Sequence, residues 1–379
     1  MTQAALPLNA PPKTQTEMID WIRLIRSRRV GPATFHRLLA EHGTATAALA
    51  ALPEVAAKAG VPKYKICPIN IAEAELSQAQ RLGLHPIWHG TPAYPPLLME
   101  TPDAPAFLWA KGKTSVLRKP SIAIIGARNA SSLGTRMTYL LAEQLSEAGY
   151  TVVSGLARGI DASAHKASLK KGTIAVMAGG VDVVYPKENA QLYQDIPENG
   201  VIISEQPAGL APQARNFPIR NRIVAGMTQA TIVMEAAARS GSLITARQAL
   251  DIGRDVMAVP GHPFDGRAAG CNFLLRDGAT LVRSAKDVIE ALSPIPETSL
   301  RATPAVSPAI TVDTTALKPK SNRLVSDAIL ELLGASAVPE DVVIRDSGLP
   351  ACTVSRSLVD LELQGRIERQ PGGLLSKAN

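Results

Sequence analysis

The sequence predicts an α/β protein centred on an open parallel sheet, with a helical segment before it and a small helix-rich unit after it. Six short apolar, β-branched runs recur in the middle of the chain: SIAIIG (121–126), YTVVSG (150–155), TIAVMAGG (173–180), GVIISE (200–205), ATIVME (230–235) and DVMAVPG (255–261). Amphipathic stretches separate several of them, as at 134–149, where Met137, Leu140, Leu141 and Leu145 form a stripe at helical spacing. Near-continuous apolar strands alternating with helices suit a parallel sheet covered on both faces. A composition break over 293–320, with five prolines among Ser and Thr, marks a linker before the last unit.

Taken in order, residues 1–16 lack the charged and apolar regions of a secretion signal, so none is expected, and they read as a short disordered lead. Residues 17–85 are expected to be helical: one helix, a Val30-Gly31-Pro32 turn, and a second helix with Phe35, Leu38 and Leu39 as its apolar face. Arg23, Arg26, Arg28 and Arg29 cluster around that turn. Two readings stay open there: a turn that offers N–H groups to a nucleic-acid phosphate, or a packing or oligomerisation module. Residues 86–292 form the sheet domain. In 321–379, RLVSDAILELLG reads as a helix ended by Gly334 and PEDVVIRDSGL as a second helix and turn. The remainder reads as a third helix and a hairpin around Pro371-Gly372-Gly373, the order of a winged helix-turn-helix.

A chain of 379 residues, 46% hydrophobic, fits two or three domains with a sizeable core. It has no run of 18 apolar residues, so no membrane span is expected. Cys67, Cys271 and Cys352 are too scattered for a disulfide framework or a metal motif, and a reducing cytoplasm is expected. Pro86 between His85 and His89 argues against a helical metal pair, and neither metal nor cofactor is expected. The formal charge of +7 is uneven: +6 in residues 1–120, +2 in 121–292 and −1 in 293–379. A mildly basic balance permits nucleic-acid binding without requiring it.

The strand ends carry the functional signal. Gly126, Gly155, Gly179-Gly180, Ser240-Gly241-Ser242 and Pro260-Gly261 all follow predicted strands, where ligands of open parallel sheets bind. Small residues let the backbone approach a ligand, and helix N-termini favour anions. The G-x-x-x-G of Gly155 and Gly159 is not a dinucleotide fingerprint, and no P-loop lysine motif occurs. VVSGLARGIDASAH contains Ser154, Asp161 and His165, but not the G-x-S-x-G of a nucleophile elbow. Asp161 can cap N–H groups, and His165, four residues on, can hydrogen-bond to it. That Asp–His pair is expected to fix the loop, with phosphate contact by His165 as the alternative. In QARNFPIRNRIVAG, Arg215, Phe217, Arg220 and Arg222 combine phosphate-gripping cations with a ring for base stacking. On a helix, however, Arg220 and Arg222 fall on opposite sides of the Ile219–Ile223–Met227 stripe. Nucleic-acid contact and structural ion pairs both stay open for them.

In this order, GARNASSLG, SGLARGIDASAH, YPKEN, SEQPAG, FPIRNRIVAG, SGSLITA and AVPG resemble the DNA-processing protein A family (DprA, also called Smf) over roughly residues 90–290. The resemblance implies an extended Rossmann-like central domain, an N-terminal domain of sterile-alpha-motif or helix-hairpin-helix type, and a C-terminal winged helix. It implies a homodimer that binds single-stranded DNA without hydrolysing it, protects incoming DNA in natural transformation, displaces single-strand-binding protein and loads the RecA recombinase. By the same resemblance, DNA or phosphate contacts are expected at Arg128, Ser154, Gly155, Arg158, Gly159, Arg215, Phe217, Arg220, Arg222, Ser240, Gly241, Ser242 and Thr245. Asp161, His165, Asn221 and Glu235 are expected to be architectural.

Aromatics make up 4% of the chain, so Phe217 is expected to be nearly the only stacker. The acidic C-terminal unit, with Arg356 beside Asp360 and Glu362, suggests protein contact or regulation there. Two other classes compete: a nucleotide phosphoribohydrolase using Glu235 and the SGS loop, although that glutamate precedes the loop instead of following it, and a winged-helix regulatory or interaction protein.

Overall fold

The computed structural model describes residues 10–58, 61, 63–293, 321–333, 338–349, 353–354, 357–358, 361, 366–370 and 374–377. The chain divides into two compact units, Met1–Pro294 and Ile295–Asn379.

The first unit begins with four helices: α1 (Gln15–Arg26), α2 (Pro32–His42), α3 (Ala45–Lys58) and α4 (Ile69–Arg81). The first starts inside the expected lead, because Thr14 and Glu17 form a reciprocal cap that satisfies free N–H groups. Two of the four arginines near the turn are committed internally. Arg26 forms a two-pronged pair with Glu75 at 2.9 and 2.8 Å, and Arg23 donates to the Cys67 carbonyl at 3.1 Å. Arg28 and Arg29 remain exposed.

The sheet follows, with strands β1 (His85–Trp88), β2 (Phe107–Gly112), β3 (Ser121–Ile125), β4 (Thr151–Ser154), β5 (Thr173–Val176), β6 (Val201–Ser204), β7 (Ala230–Val233), β8 (Asp255–Ala258) and β9 (Thr280–Leu281). The helices between and after them are α5 (Pro96–Met99), α6 (Ser132–Glu147), α7 (Ile160–Ser168), α8 (Ala190–Asn199), α9 (Asn216–Gly226), α10 (Ser242–Asp251), α11 (Ala269–Arg276) and α12 (Ala285–Leu292). The sheet order is β1-β2-β6-β5-β4-β3-β7-β8-β9. All six predicted strands are present, and β3 to β9 pair in parallel. The hairpin β1–β2 adds an antiparallel edge through β6.

Burial on both faces explains the unbroken apolar strands: β3, β4, β5, β6 and β7 are buried along their whole length. The chain winds from β3 through β4 and β5 to β6 in one direction, then returns to lay β7 on the other side of β3. The gap between β3 and β7 is therefore the topological switch point, where loops diverge and leave a crevice.

The four helices share a core with this sheet. Trp21 packs edge-on against Phe35 and Trp88, at 5.1 and 5.8 Å between ring centres, and Trp88 meets Phe107 at 4.8 Å. The indole of Trp109 donates to Glu75 at 3.0 Å, so that carboxylate also accepts from a sheet residue.

In the second unit, helices Ser321–Leu332 and Glu340–Ser347 match the two expected ones. Strands β10 (Val338–Pro339), β11 (Ile367–Gln370) and β12 (Leu374–Lys377) form a sheet in the order β10-β12-β11. Val354, Leu358 and Leu361 pack with Ile329 and Leu333 in its core. The expected linker 293–320 beyond its first residue, Gly334, the Pro371-Gly372-Gly373 turn, and Arg356, Asp360 and Glu362 lie outside the described residues.

Candidate nucleic-acid interface

A crevice of about 210 Å³ opens at the switch point. Its lining includes Gly126 and Arg128 after β3, Gly155 and Ala157 after β4, Phe217 and Asn221 on α9, and Ser240, Gly241, Ser242 and Thr245 at the start of α10. A second hollow, of about 450 Å³, shares Arg128, Gly155, Ala157 and Phe217, and is closed by Arg158, Tyr185, Pro186, Lys187 and Glu188.

The loops are shaped from within. Asp161, on the first turn of α7, accepts from the Gly155 and Ala157 N–H groups at 3.1 and 3.3 Å. Gly159 has φ +76, and a Cβ there would meet the Ala127 carbonyl oxygen at 2.4 Å. Gly155 is small for a different reason: a Cβ would stand 1.9 Å from the guanidinium of Arg220. Burial pushes the Asp161 carboxyl up, while Arg220 and the loop N–H groups hold it down.

Arg220 is buried, and its guanidinium donates to the Val176 carbonyl at 2.6 Å and to Asn221 at 3.2 Å. It forms the floor of the crevice and supplies positive charge from below. Arg128 is exposed and lies over the Phe217 ring, 5.0 Å from its centre, within cation–π range. Tyr185 flanks the same ring at 6.0 Å and is 44% exposed. The expectation that Phe217 is nearly the only stacker is therefore corrected. Tyr185 sits in a loop after β5 that only the fold brings near.

Opposite, α10 begins with an uncrowded turn: a Cβ on Gly241 would meet nothing within 4 Å. The Ser240 hydroxyl donates to that of Ser242 at 3.2 Å, and Ser242 donates to the Gly126 carbonyl at 3.0 Å. The Ser242 N–H bonds the Ser240 hydroxyl at 3.3 Å, and the Leu243 and Ile244 N–H groups bond the Ser240 and Gly241 carbonyls at 3.1 Å each, so a ligand here meets hydroxyl groups and the helix dipole more than free N–H groups. Arg158 and Arg215 are exposed beside these elements, Arg158 being weakly paired to Glu188 at 3.5 Å.

Three expected placements are corrected. Ser154 is fully buried, and its hydroxyl donates to the Ile124 carbonyl at 2.6 Å, so it offers nothing to the crevice. Arg222 turns away from the crevice and pairs with Glu205 at 2.5 Å and the Asp103 carbonyl at 2.5 Å, because on α9 it lies on the far side from Arg220. The expected Asp161–His165 pair does not form among the described residues. Asp161 is taken by loop N–H groups, and His165 Nδ1 bonds the Thr173 hydroxyl at 2.8 Å. His165 is buried beneath the sheet surface, out of reach of a ligand phosphate, and burial with Arg220 nearby pushes its imidazole down to about 3.

Glu235 accepts from the Ser131 N–H at 2.9 Å and the Ser131 hydroxyl at 2.5 Å, and closes the start of α6. The carboxylate needed by a phosphoribohydrolase reading is thus held by a helix cap.

The family model for DNA recombination-mediator protein A matches residues 85–293; the DprA-like N-terminal HHH domain matches 15–78, and the DprA winged helix domain 315–373. Protein Smf of Escherichia coli is 36% identical over 81% of this chain and 81% of its own length. DNA processing protein DprA of Streptococcus pneumoniae is 44% identical over 52% of this chain and 70% of its own. The X-ray structure of the S. pneumoniae protein superposes with a TM-score of 0.56 at 40% identity, covering 59% of this chain and 78% of that one. A Helicobacter pylori DprA structure, described as revealing a unique single-stranded DNA binding mode, gives a TM-score of 0.50 at 32% identity over 52% of this chain and 92% of that one. Among the described residues no helix is long and apolar enough to cross a membrane. With three domain models matched in order and a relative of similar length aligned over four-fifths of both chains, the chain belongs to the DprA/Smf family of DNA recombination-mediator proteins.

Proposed function

We propose that this protein binds single-stranded DNA across the switch-point crevice and acts as a recombination mediator, holding the strand without hydrolysing it. The observation that carries this reading is the pairing of an exposed cation on an aromatic ring, Arg128 on Phe217, with the uncrowded, hydroxyl-bearing Ser240-Gly241-Ser242 turn at the start of α10 across the crevice. The first holds a base and the charge beside it; the second takes a phosphate. Both are indifferent to base identity, as a protein that handles arbitrary incoming DNA requires. The likeness to the H. pylori protein supports the same ligand. Family membership extends the proposal to a cytoplasmic homodimer that protects incoming strands in natural transformation, displaces single-strand-binding protein and loads RecA.

Fluorescence anisotropy of labelled oligo-dT at several salt concentrations tests the reading, with duplex and nucleoside monophosphates as competitors. Tight binding that weakens with salt by about 0.7 log units per log unit for each phosphate contacted, and that duplex competes poorly, is the expected outcome. Displacement by a mononucleotide at low concentration would make the crevice a small-ligand pocket instead.

A further inference from the structure

The loop between β8 and α11 has no part in the crevice described above. It leaves the sheet at the same edge, because β8 lies beside β7 and parallel to it. Its base is braced. The Ala236 N–H donates to the Arg267 carbonyl at 2.7 Å, and the Gly270 N–H returns to the Ala236 carbonyl at 2.8 Å. The Asn272 side chain accepts from the Gly261 N–H at 3.2 Å and donates to its carbonyl at 3.0 Å. At the tip of this braced loop stands Phe264, 95% exposed; the next most exposed large hydrophobic side chain is Leu133 at 68%. Among the described residues its one ring contact is His262, 5.6 Å away and tilted by 38°.

An uncovered phenyl ring on an anchored loop forgoes one of the larger gains that burial offers a side chain. Its surroundings say what covers it. Arg239 is exposed in the adjoining loop from β7 to α10, and Arg267, three residues on from Phe264, pairs with Asp265 at 3.1 Å. An exposed ring with guanidinium groups in its own and the adjoining loop, at the same edge of the sheet as the crevice, has the composition of a single-strand platform. From the end of β4 to the end of β8 is three strand spacings, about 14 Å at about 4.8 Å each. A single strand crosses that distance in a few nucleotides.

We infer that Phe264 is a second stacking post, which takes a base of the single strand as it leaves the crevice past α10. The inference rests on the single-strand reading above. It names a contact outside both hollows, and it sets a minimum length of strand for full affinity.

Phe264→Trp and Phe264→Ala test it in the full-length protein. The three native tryptophans, Trp21, Trp88 and Trp109, are at most 4% exposed, so a tryptophan at 264 reports on its own surroundings. Oligo-dT of about 20 nucleotides is expected to quench the Phe264→Trp emission and to bind that variant as it binds wild type. Phe264→Ala is expected to bind the same oligonucleotide about 5- to 100-fold more weakly, the worth of one stacked base, and to bind a dinucleotide within about twofold of wild type. Unquenched emission together with wild-type affinity in Phe264→Ala overturns the inference. If Arg128→Ala still weakens binding in that case, the crevice reading stands alone. Failure of wild type to bind any oligonucleotide removes both readings. A Phe264→Ala protein whose mass by light scattering falls, with Phe264→Trp emission that follows protein concentration and not added DNA, assigns the ring to a second copy of the chain and overturns the inference as well.

Discussion

Gly155→Ala tests how the crevice is built. Gly155 is not among the glycines with positive φ, so its backbone tolerates a side chain. What excludes one is Arg220: the new methyl would lie 1.9 Å from Nη1, 2.4 Å from Cζ and 2.5 Å from Nη2. The guanidinium must move by more than an ångström and cannot keep its 2.6 Å bond to the Val176 carbonyl. A hydrogen bond from a charged donor contributes about 1.5–3 kcal/mol, and overpacking costs about 1–3 kcal/mol. The substitution should therefore destabilise the first unit by about 3–5 kcal/mol. Urea unfolding followed by tryptophan fluorescence reads this directly, because all three tryptophans lie within residues 1–294. The decisive comparison is the same substitution in an Arg220→Met background. There the methyl meets a side chain that can yield, and its cost should fall below about 1 kcal/mol, a coupling that a double-mutant cycle isolates. Equal cost in both backgrounds would refute the argument that Arg220 dictates the glycine.

Arg128→Ala should leave stability unchanged within about 0.5 kcal/mol and lower the salt slope of oligo-dT binding by about 0.7 if its phosphate contact is single. Arg222→Ala should do the reverse: it strands Glu205 and costs about 3 kcal/mol, while the affinity of the folded protein for oligo-dT stays within about twofold of wild type by anisotropy. Ser131→Ala removes both the cap on the Gly134 N–H and a partner of Glu235, and should cost about 1–2 kcal/mol in the same unfolding assay. His165, held down to about 3 in the fold against an ordinary value of 6.5, takes up a proton on unfolding first. Its burial therefore costs nothing above pH 6.5, and below that stability falls by up to about 1.4 kcal/mol per pH unit until about pH 3. Compared with His165→Gln, wild type should lose stability more steeply between pH 6 and pH 4 in urea titrations (a window bounded by the ordinary value and the lowered one); parallel curves would refute this.

The parallel strands were legible because burial on both faces leaves an unbroken apolar run, as in SIAII and VIIS. The edge pair β1–β2 was not, because HPIW carries a proline and a half-exposed pattern, and β9 is two exposed residues. In the site, the helical period alone placed Arg220 and Arg222 on opposite sides of α9, and the structure divides them between crevice floor and ion pair. The same period put Asp161 and His165 on one face, but it could not show that loop N–H groups and Thr173 would claim them first. Arg26 found Glu75 across 49 residues, a pairing with no local signature. Tyr185 and Phe264 sit in loops whose neighbours are set by strand order: YPKEN marked the first loop, but not that its ring would meet Phe217.

Glu205 follows β6 and serves two partners at once: its backbone carbonyl accepts from Arg26 of α1 at 3.0 Å, and its carboxylate holds Arg222 of α9. His36 of α2 adds a further tie, bonding the Ala104 carbonyl at 2.8 Å. The boundary between recognisable sequence modules, near residue 80, is therefore not a boundary of stability. A chain cut there would lose the acceptor for the Trp109 indole and one partner of the residue that steadies the crevice helix. Exchanging the helical module should therefore destabilise the sheet domain unless the Arg26–Glu75–Trp109 triangle is kept, which makes the two modules one unit of folding although they are two in sequence.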